Sequence, residues 1–431
     1  MITAQDPASM LSVFVDQTRV GSLYNTHPLA FSYDTSWLAL PDSQPIDPQI
    51  PLGPDRIVTP YVHAFFENLL PEGDQRKRIS MRHHVSSIFG LLLEIGGDTA
   101  GSFVILPDGQ VPQPPLYKAM TWEQVDRRLH ASANNDDVPD DEEDEADDDL
   151  NRPRISISGA QVKLLLSIGD DGHPLQPMGT TPSTHILKPD MVRLDLKIWA
   201  SAANETIVMR AAQLCEMPTA RVSWQPIVRA CLVERYDRTM ASDGTLKRLW
   251  QADFCQLSGL PSDTKYEADG GPTFKECFDL LSRHTVMPAH DQRNLLRWLI
   301  FNLAVGNNDS HAKNLSILGT PDGLRLAPFH DLMSTRVYDG LGAHFAFSVG
   351  GEFNPGKVEK QHLLALAESL AIAPKYLLKI ASETIDRILA AIPLAVAEVL
   401  PHLSNSEQIM AERLELKILG IAKKMQNRLV G

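Results

Sequence analysis

The sequence predicts an α+β fold in which a strand-rich half precedes a helical half. Three observations carry that reading. Of 431 residues, 43% are hydrophobic and 22% charged, the proportions of a globular chain that buries a sizeable core. The β-type apolar runs at 11–15, 103–106, 155–168, 185–188 and 227–233 all lie before residue 240. From about residue 250 onward, apolar residues recur at i, i+3 and i+4 within 274–281, 294–305 and 362–370. The length suits two to four domains at about 100–200 residues each.

The regions follow in order. Residues 1–130 mix short strands with helical patterns; within 60–70, Val62, Phe65, Phe66, Leu69 and Leu70 fall at helical spacing. Residues 131–153 read as a linker, because eleven acidic residues and no basic one stand between Asp136 and Asp149. A block of like charge this dense cannot collapse, and it is expected to be solvated and disordered. Residues 154–240 are strand-rich with one amphipathic helix at 204–215, and residues 241–431 are mainly helical. No internal repeat is visible. The seam between strand-rich and helical parts is the natural place for a ligand.

Charge and cysteine usage narrow the class. With 40 Lys+Arg against 54 Asp+Glu, the net charge of −14 argues against a protein that coats nucleic acid unaided. The acidic run supplies eleven of those charges and leaves −3 on the rest of the chain. Cys215, Cys231, Cys255 and Cys277 stand 16 to 24 residues apart with no C-x-x-C, so four reduced, buried thiols are expected. The first residues lack the basic flank and apolar core of a signal peptide, and no stretch reaches the roughly 18 apolar residues of a membrane span. The longest candidate, 388–397, contains Pro393. A soluble cytoplasmic protein with no membrane partner is expected.

The strongest local signal is Gly306-Asn-Asn-Asp-Ser-His-Ala-Lys-Asn314, set between the apolar segments 295–305 and 315–318. Asp309 and Asn314 are separated by four residues, the spacing at which a kinase catalytic loop places a hydroxyl-orienting Asp and a magnesium-binding Asn. Taken alone, the run also reads as a polar turn with Asn capping. Asp331, in Leu326-Ala-Pro-Phe-His-Asp331-Leu-Met-Ser334, ends an apolar run and could share a magnesium ion with Asn314, or could cap a helix. Upstream, Ser156-Ile-Ser-Gly159-Ala-Gln-Val-Lys163 could offer backbone N–H groups to phosphate oxygens; an ordinary hairpin strand fits it as well. Lys188 ends an apolar run, where it either snorkels or meets nucleotide phosphates. Glu205 begins the amphipathic helix and could hold Lys188 or favour the helix dipole. Glu234, Arg235 and Tyr236 end a buried strand and could face an adenine edge. The order small-residue loop, strand Lys, helix Glu, strand-to-linker, D-x-x-x-x-N and then Asp is the parts list of a two-lobed phosphotransferase.

On these residues the chain resembles the HipA family, the serine/threonine protein kinase toxins of HipA–HipB toxin–antitoxin modules. The resemblance runs nearly end to end, through Tyr33-Asp-Thr-Ser-Trp37, Phe66-Glu-Asn-Leu-Leu-Pro-Glu-Gly73, Gly96-Gly-Asp-Thr-Ala-Gly101, Ser158-Gly-Ala-Gln161, Val233-Glu-Arg-Tyr-Asp-Arg238, the 306–314 run and Asp331-Leu-Met-Ser334. It implies a two-lobed protein-kinase-like fold with an extra N-terminal subdomain. It also implies ATP and Mg2+ as cofactors, Asp309 as the catalytic Asp, and Asn314 and Asp331 as magnesium ligands. Lys188 then matches the ATP-phosphate lysine, Glu234 to Tyr236 the adenine hinge, and Ser158, Gly159, Ala160, Gln161, Val162 and Lys163 the phosphate loop. His311, Ala312, Lys313 and His330 fall to the same nucleotide site, and Ser156 to an inactivating autophosphorylation site. Val162 departs from the family, which usually carries Glu there. The family further implies a HipB-like helix-turn-helix antitoxin, operator DNA bound mainly through it, and a protein substrate that is an aminoacyl-tRNA synthetase, the glutamate enzyme foremost, with growth arrest as the result. Phe254, Tyr266 and the helical C-terminal half are candidate partner surfaces.

Two other functions fit the same sequence: a catalytically idle corepressor that binds its antitoxin on DNA, and a small-molecule kinase on the same scaffold. The joint presence of Lys188, Asp309, Asn314 and Asp331 favours the protein kinase.

Overall fold

A computed structural model of the protein describes residues 9–134, 163–191 and 193–430. The acidic run 136–149, Ser156 and the loop residues 158–162 lie outside the described residues. The chain divides into two compact units, neither of them one continuous stretch. The first takes Met1–Thr121, His130–Thr184 and Asp237–Asp263, and the second takes Trp122–Leu129, His185–Tyr236 and Thr264–Gly431.

In the first unit, strands Ala30–Tyr33, Thr18–Tyr24, Met10–Val15 and Phe103–Pro107 form an antiparallel sheet in that order, with a register shift between Val13 and Phe14. Helix Pro60–Glu67 starts where its sequence says it should. Pro60 occupies the first turn, where a missing N–H costs nothing, and Thr59 accepts from Val62 N–H at 3.3 Å. Its Phe65 and Phe66 are fully buried beside Phe103 and Phe31, with ring centroids 5.5 and 5.7 Å apart. Each such ring contributes about 1.5–3 kcal/mol by leaving water. Leu69 and Leu70 are buried too, but beyond the helix end. Strands Leu164–Ile168, Pro174–Pro177 and Tyr117–Ala119 pair antiparallel, and Arg238–Met240 forms a hairpin with Leu246–Arg248.

The loop 96–101 is secured by charge. Asp98, with no exposed surface, accepts from Arg238 Nη2 at 2.8 Å, from Ser183 N–H at 3.1 Å and from its hydroxyl at 2.7 Å. Arg238 also donates to Gly101 O and Ser183 O, and Asp237 accepts from Gly101 N–H at 2.8 Å. A buried ion pair with its remaining polar atoms satisfied is tolerated where a lone charge is not.

In the second unit, strands His185–Lys188, Ala230–Glu234 and Val222–Gln225 pair antiparallel, with Lys188 opposite Cys231. Helix Ser201–Leu214 starts three residues before the predicted 204, so Glu205 lies inside the helix rather than at its start. Nothing in the sequence marks that start, because Ala200 enters it at φ 50° with no side-chain cap. The helix is not amphipathic either: Ser201 through Met209 are all buried. Strands Val222–Gln225 and Ala230–Glu234 and the long helices Pro374–Val399 and Asn405–Val430 all pack against it. Helices Phe274–His284, Pro288–Val305 and Lys360–Ser369 and the hairpin Ser316–Thr320/Gly323–Leu326 complete the unit. Trp298, fully buried, sits 6.1 Å from both Phe329 and Phe347.

The fold is mixed α/β, as expected. The four cysteines are free and buried, and burial pushes the Cys215 thiol up to about 12, which leaves it inert. Among the described residues no helix is long and apolar enough to cross a membrane; Pro393 lies inside helix Pro374–Val399.

Candidate active site

Helix Pro288–Val305 delivers the chain into the polar loop 306–314. Gly306 closes the helix at φ 75°, a conformation most side chains resist, and a Cβ there would stand 2.9 Å from Ile421 Cδ1. The loop is then braced by its own amides. Asn307 Nδ2 donates to Asn302 Oδ1 at 2.8 Å, while its Oδ1 accepts from Asp309 N–H at 3.2 Å. Asn308 N–H reaches Thr335 Oγ1 at 2.8 Å, and Arg336 N–H reaches Gly306 O at 3.0 Å. These bonds stitch the loop to the segment following Asp331.

Across residues 303–318 every residue from Leu303 to Leu318 is buried except Asp309, which is exposed. A carboxylate presented alone from a buried, cross-braced loop is available to a substrate and held still. Tyr266 donates its hydroxyl to Asp309 Oδ1 at 2.5 Å and meets the His311 ring edge-on at 5.2 Å. Asn314 Nδ2 donates to Asp309 O at 3.1 Å, so the four-residue spacing closes as one compact turn and leaves the amide oxygen as the Asn314 acceptor. Ala312 and Lys313, in the same turn, are buried.

The second constellation surrounds Lys188. The lysine is 3% exposed, and its Nζ lies 2.5 Å from Glu205 Oε1 and also contacts Asp331 Oδ1. Burial disfavours the ammonium, but the carboxylates of Asp331 and Glu205 outweigh it and hold its pKa above the usual lysine range. Asp331 does not cap a helix, nor does it end a strand. It sits at φ 54°, in the left-handed region that Asp tolerates better than most residues. Asn204, beside Glu205 on the helix, fastens the following segment: its Oδ1 accepts from Ser334 N–H at 2.9 Å, and its Nδ2 donates to Ser334 O at 2.9 Å and to the Tyr338 hydroxyl at 3.1 Å. One helix thus sets both the lysine partner and the segment that carries Asp331.

Near the end of strand Ala230–Glu234, Glu234 N–H donates to Arg221 O at 2.9 Å, and Arg235 is buried. The Tyr236 ring lies 5.6 Å from that of His330. Phe329 pairs in parallel with Thr219, which aligns the segment leading to Asp331 beside residues 218–221.

Lys188, Glu205 and Asp331 are therefore brought together, as are Asp309, His311 and Asn314, and Tyr236 and His330. Lys163 is buried in the first unit at the head of strand Leu164–Ile168. Phe254, expected at a partner surface, has no exposed area, because it opens the core helix Phe254–Ser258. Tyr266, also expected at a partner surface, is half-buried and is the hydrogen-bond partner of Asp309. The bracing roles of Asn204, Asn302, Asn307 and Thr335 carry no signal in the sequence, because their partners lie on other elements or across the loop.

Asp331 and Asn314 offer a carboxylate and an amide oxygen, the hard oxygen donors that suit magnesium on nucleotide phosphates. Among the described residues no three His, Cys, Asp or Glu side chains gather as a metal cluster. A site completed by phosphate oxygens needs only one or two carboxylates, so the residues present fit the ion.

The sequence matches the HipA N-terminal domain over residues 11–106 and the HipA-like C-terminal domain over residues 155–392. It is 33% identical to Y4mE of Sinorhizobium fredii, named as a kinase, over 92% of this chain and 93% of that protein. It is 29% identical to the serine/threonine-protein kinase toxin HipA of Shewanella oneidensis, over 87% of this chain and 86% of the relative. Among solved structures, the HipA, HipB and operator DNA complex of Shewanella oneidensis matches with a TM-score of 0.81 and 26% identity, covering 97% of this chain and 98% of that one. The chain belongs to the HipA family, and it is a serine/threonine-protein kinase with the fold of that family.

Proposed function

We propose that this kinase is the Mg-ATP-dependent toxin of a toxin–antitoxin pair, and that the residues gathered above are its catalytic machinery. Asp309 accepts the hydrogen bond of the substrate serine or threonine hydroxyl and orients it, while Tyr266 keeps the carboxylate from swinging. Lys188 binds nucleotide phosphate oxygens, with Glu205 holding its ammonium in place. Asn314 and Asp331 hold magnesium, and Glu234, Arg235 and Tyr236 hold the adenine. Lys163 belongs to the phosphate loop with residues 158–162, and Ser156 is the autophosphorylation site. Magnesium-bound ATP, when present, supplies the phosphoryl group and the counter-charge. The chain's own residues act by positioning and electrostatics, without a covalent intermediate.

The observation that carries the reading is the buried Lys188 held between Glu205 and Asp331. A lysine fixed by two carboxylates at 3% exposure costs desolvation and has no packing role that methionine would not fill. The relative solved with HipB and operator DNA supports a helix-turn-helix antitoxin as partner, reaching operator DNA mainly through that antitoxin. The protein substrate in the cytoplasm is proposed to be an aminoacyl-tRNA synthetase, the glutamate enzyme foremost.

Intact-mass spectrometry after incubation with Mg-ATP tests the core of this reading. Wild type should gain phosphate and Asp309→Asn should not. No added mass on a protein purified unphosphorylated, together with no transfer to cell lysate, would overturn it. Phosphoproteomics after brief induction, compared with Asp309→Asn, identifies the substrate.

A further inference from the structure

A cavity of about 140 Å³ lies in the second unit, lined from helices Pro288–Val305 and Pro374–Val399 and from Glu216, just past helix Ser201–Leu214. Three arginines, Arg293, Arg297 and Arg387, line it together with Glu216, Glu383 and Thr384. Two of the arginines have a plain structural use. Arg297 donates to Cys215 O at 2.7 Å and to Glu216 O at 3.1 Å, and Arg387 donates to Cys215 O at 3.1 Å and pairs with the Glu216 carboxylate. Cations on the last carbonyls of a helix are ordinary capping.

Capping leaves two groups unexplained. Arg293 makes no hydrogen bond or ion pair among the described residues, yet it stands one turn from Arg297, where like charges repel. Thr384 is 2% exposed, lines the cavity, and its hydroxyl makes no hydrogen bond among the described residues. That oxygen is not sealed from the cavity it lines, so a molecule bound there can supply the missing hydrogen bond. The two lining carboxylates cancel only part of the arginine charge: Glu216 neutralises Arg387, Glu383 stands 3.7 Å from Lys379, and neither Arg293 nor Arg297 has an ion-pair partner among the described residues. Crowding is felt at Arg297, whose pKa is lowered by burial and then by Arg387 and Arg293.

We infer that this cavity binds a phosphate-sized oxyanion, either inorganic phosphate or a phosphate monoester, with Arg293 and the Thr384 hydroxyl completing a site that Arg297 and Arg387 preform. Guanidinium forks match the oxygens of such a group. The volume is below the roughly 300 Å³ at which pockets for larger ligands begin, and equals the liquid share of about four or five waters. The cavity therefore encloses a phosphate group but not a whole nucleotide, and none of the lining residues belongs to the kinase site.

Calorimetric titration of the full-length protein with sodium phosphate, at constant ionic strength set by chloride, tests the inference. Saturable binding is expected, weakened about tenfold in Arg293→Gln and about threefold in Thr384→Val. Neither change disturbs folding by its chemistry, since Arg293 is exposed and valine matches threonine in shape; thermal melts of both variants verify this. A phosphoserine peptide separates the two sources. Binding tighter than phosphate and lost in Arg293→Gln assigns a phosphorylated side chain, and equal affinity assigns the free ion. Absence of saturation, or phosphate affinity unchanged in both variants as binding at the nucleotide site would leave it, overturns the proposal.

Discussion

Replacing Lys188 by methionine tests how the site is held together. Methionine keeps the length of the side chain and removes its charge, so the cost falls on the two carboxylates left behind. They are not equivalent. The Asp331 side chain retains 32% of its exposure and can be rehydrated, whereas that of Glu205 retains 4% and cannot. Stranding one partner of a buried pair costs about 3–5 kcal/mol. At about 2–4 °C per kcal/mol for a unit of 150–250 residues, the loss is about 6–20 °C in the melting temperature of the second unit. Because Glu205 carries the penalty, Lys188→Met/Glu205→Gln should be more stable than Lys188→Met alone by about 2 kcal/mol, although a residue has been further altered.

The pH dependence has a definite sign. An isolated buried carboxyl binds its proton more tightly in the folded than in the unfolded chain, so its penalty is full above its raised folded-state value and shrinks as pH falls from there toward the unfolded value near 4.3. The deficit of Lys188→Met should therefore be smaller at pH 5 than at pH 7. The wild-type pair behaves otherwise: the raised Lys188 pKa contributes stability that is constant through neutral pH and is lost only as pH rises beyond the usual lysine range. Differential scanning calorimetry at both pH values reads these effects. A double variant no more stable than Lys188→Met, with a deficit independent of pH, would refute the assignment of the penalty to Glu205.

Further perturbations separate bracing from chemistry. Tyr266→Phe removes one hydrogen bond to an exposed carboxylate; phosphotransfer turnover should fall about tenfold while the melting temperature stays within a degree or two of wild type, as kinetics and a thermal melt on the same sample would record. Asn204→Ala strips three hydrogen bonds from a buried position and should cost about 3 kcal/mol in urea unfolding together with most activity; full activity in a destabilised variant would mean that the 331–338 segment needs no such clamp. Asp98→Asn keeps shape but leaves Arg238 with only Asp237, and Arg248 with no carboxylate, among the described residues, at an expected loss of about 3–5 kcal/mol, and a variant that melts like wild type would show the network to be dispensable.

Much of this protein was legible in the chain itself because its signals are local. Periodicity depends only on which residues repeat at 3.6 or 2, and it located the strands at 11–15, 103–106 and 185–188 and the helices beginning near 60 and 274. The spacing of Asp309 and Asn314 is likewise local: both belong to one turn, closed by the Asn314 amide on the Asp309 carbonyl. Helix Ser201–Leu214 was placed but misjudged, because burial from every side is a property of the neighbours and leaves no polar stripe in the sequence.

What only tertiary structure could decide was which of the polar residues act in company. Lys188, Glu205 and Asp331 are spread over 144 residues, and their separate plainer readings as a snorkelling lysine, a helix-dipole acid and a helix cap were each sound. Folding places all three within contact distance, where Coulomb attraction at low exposure makes them a single unit. The same holds for Tyr266 on Asp309 and for the three arginines around Thr384. Their chemistry lies in distances across the fold, and a linear sequence specifies residue types in order but carries those distances only through the packing it drives.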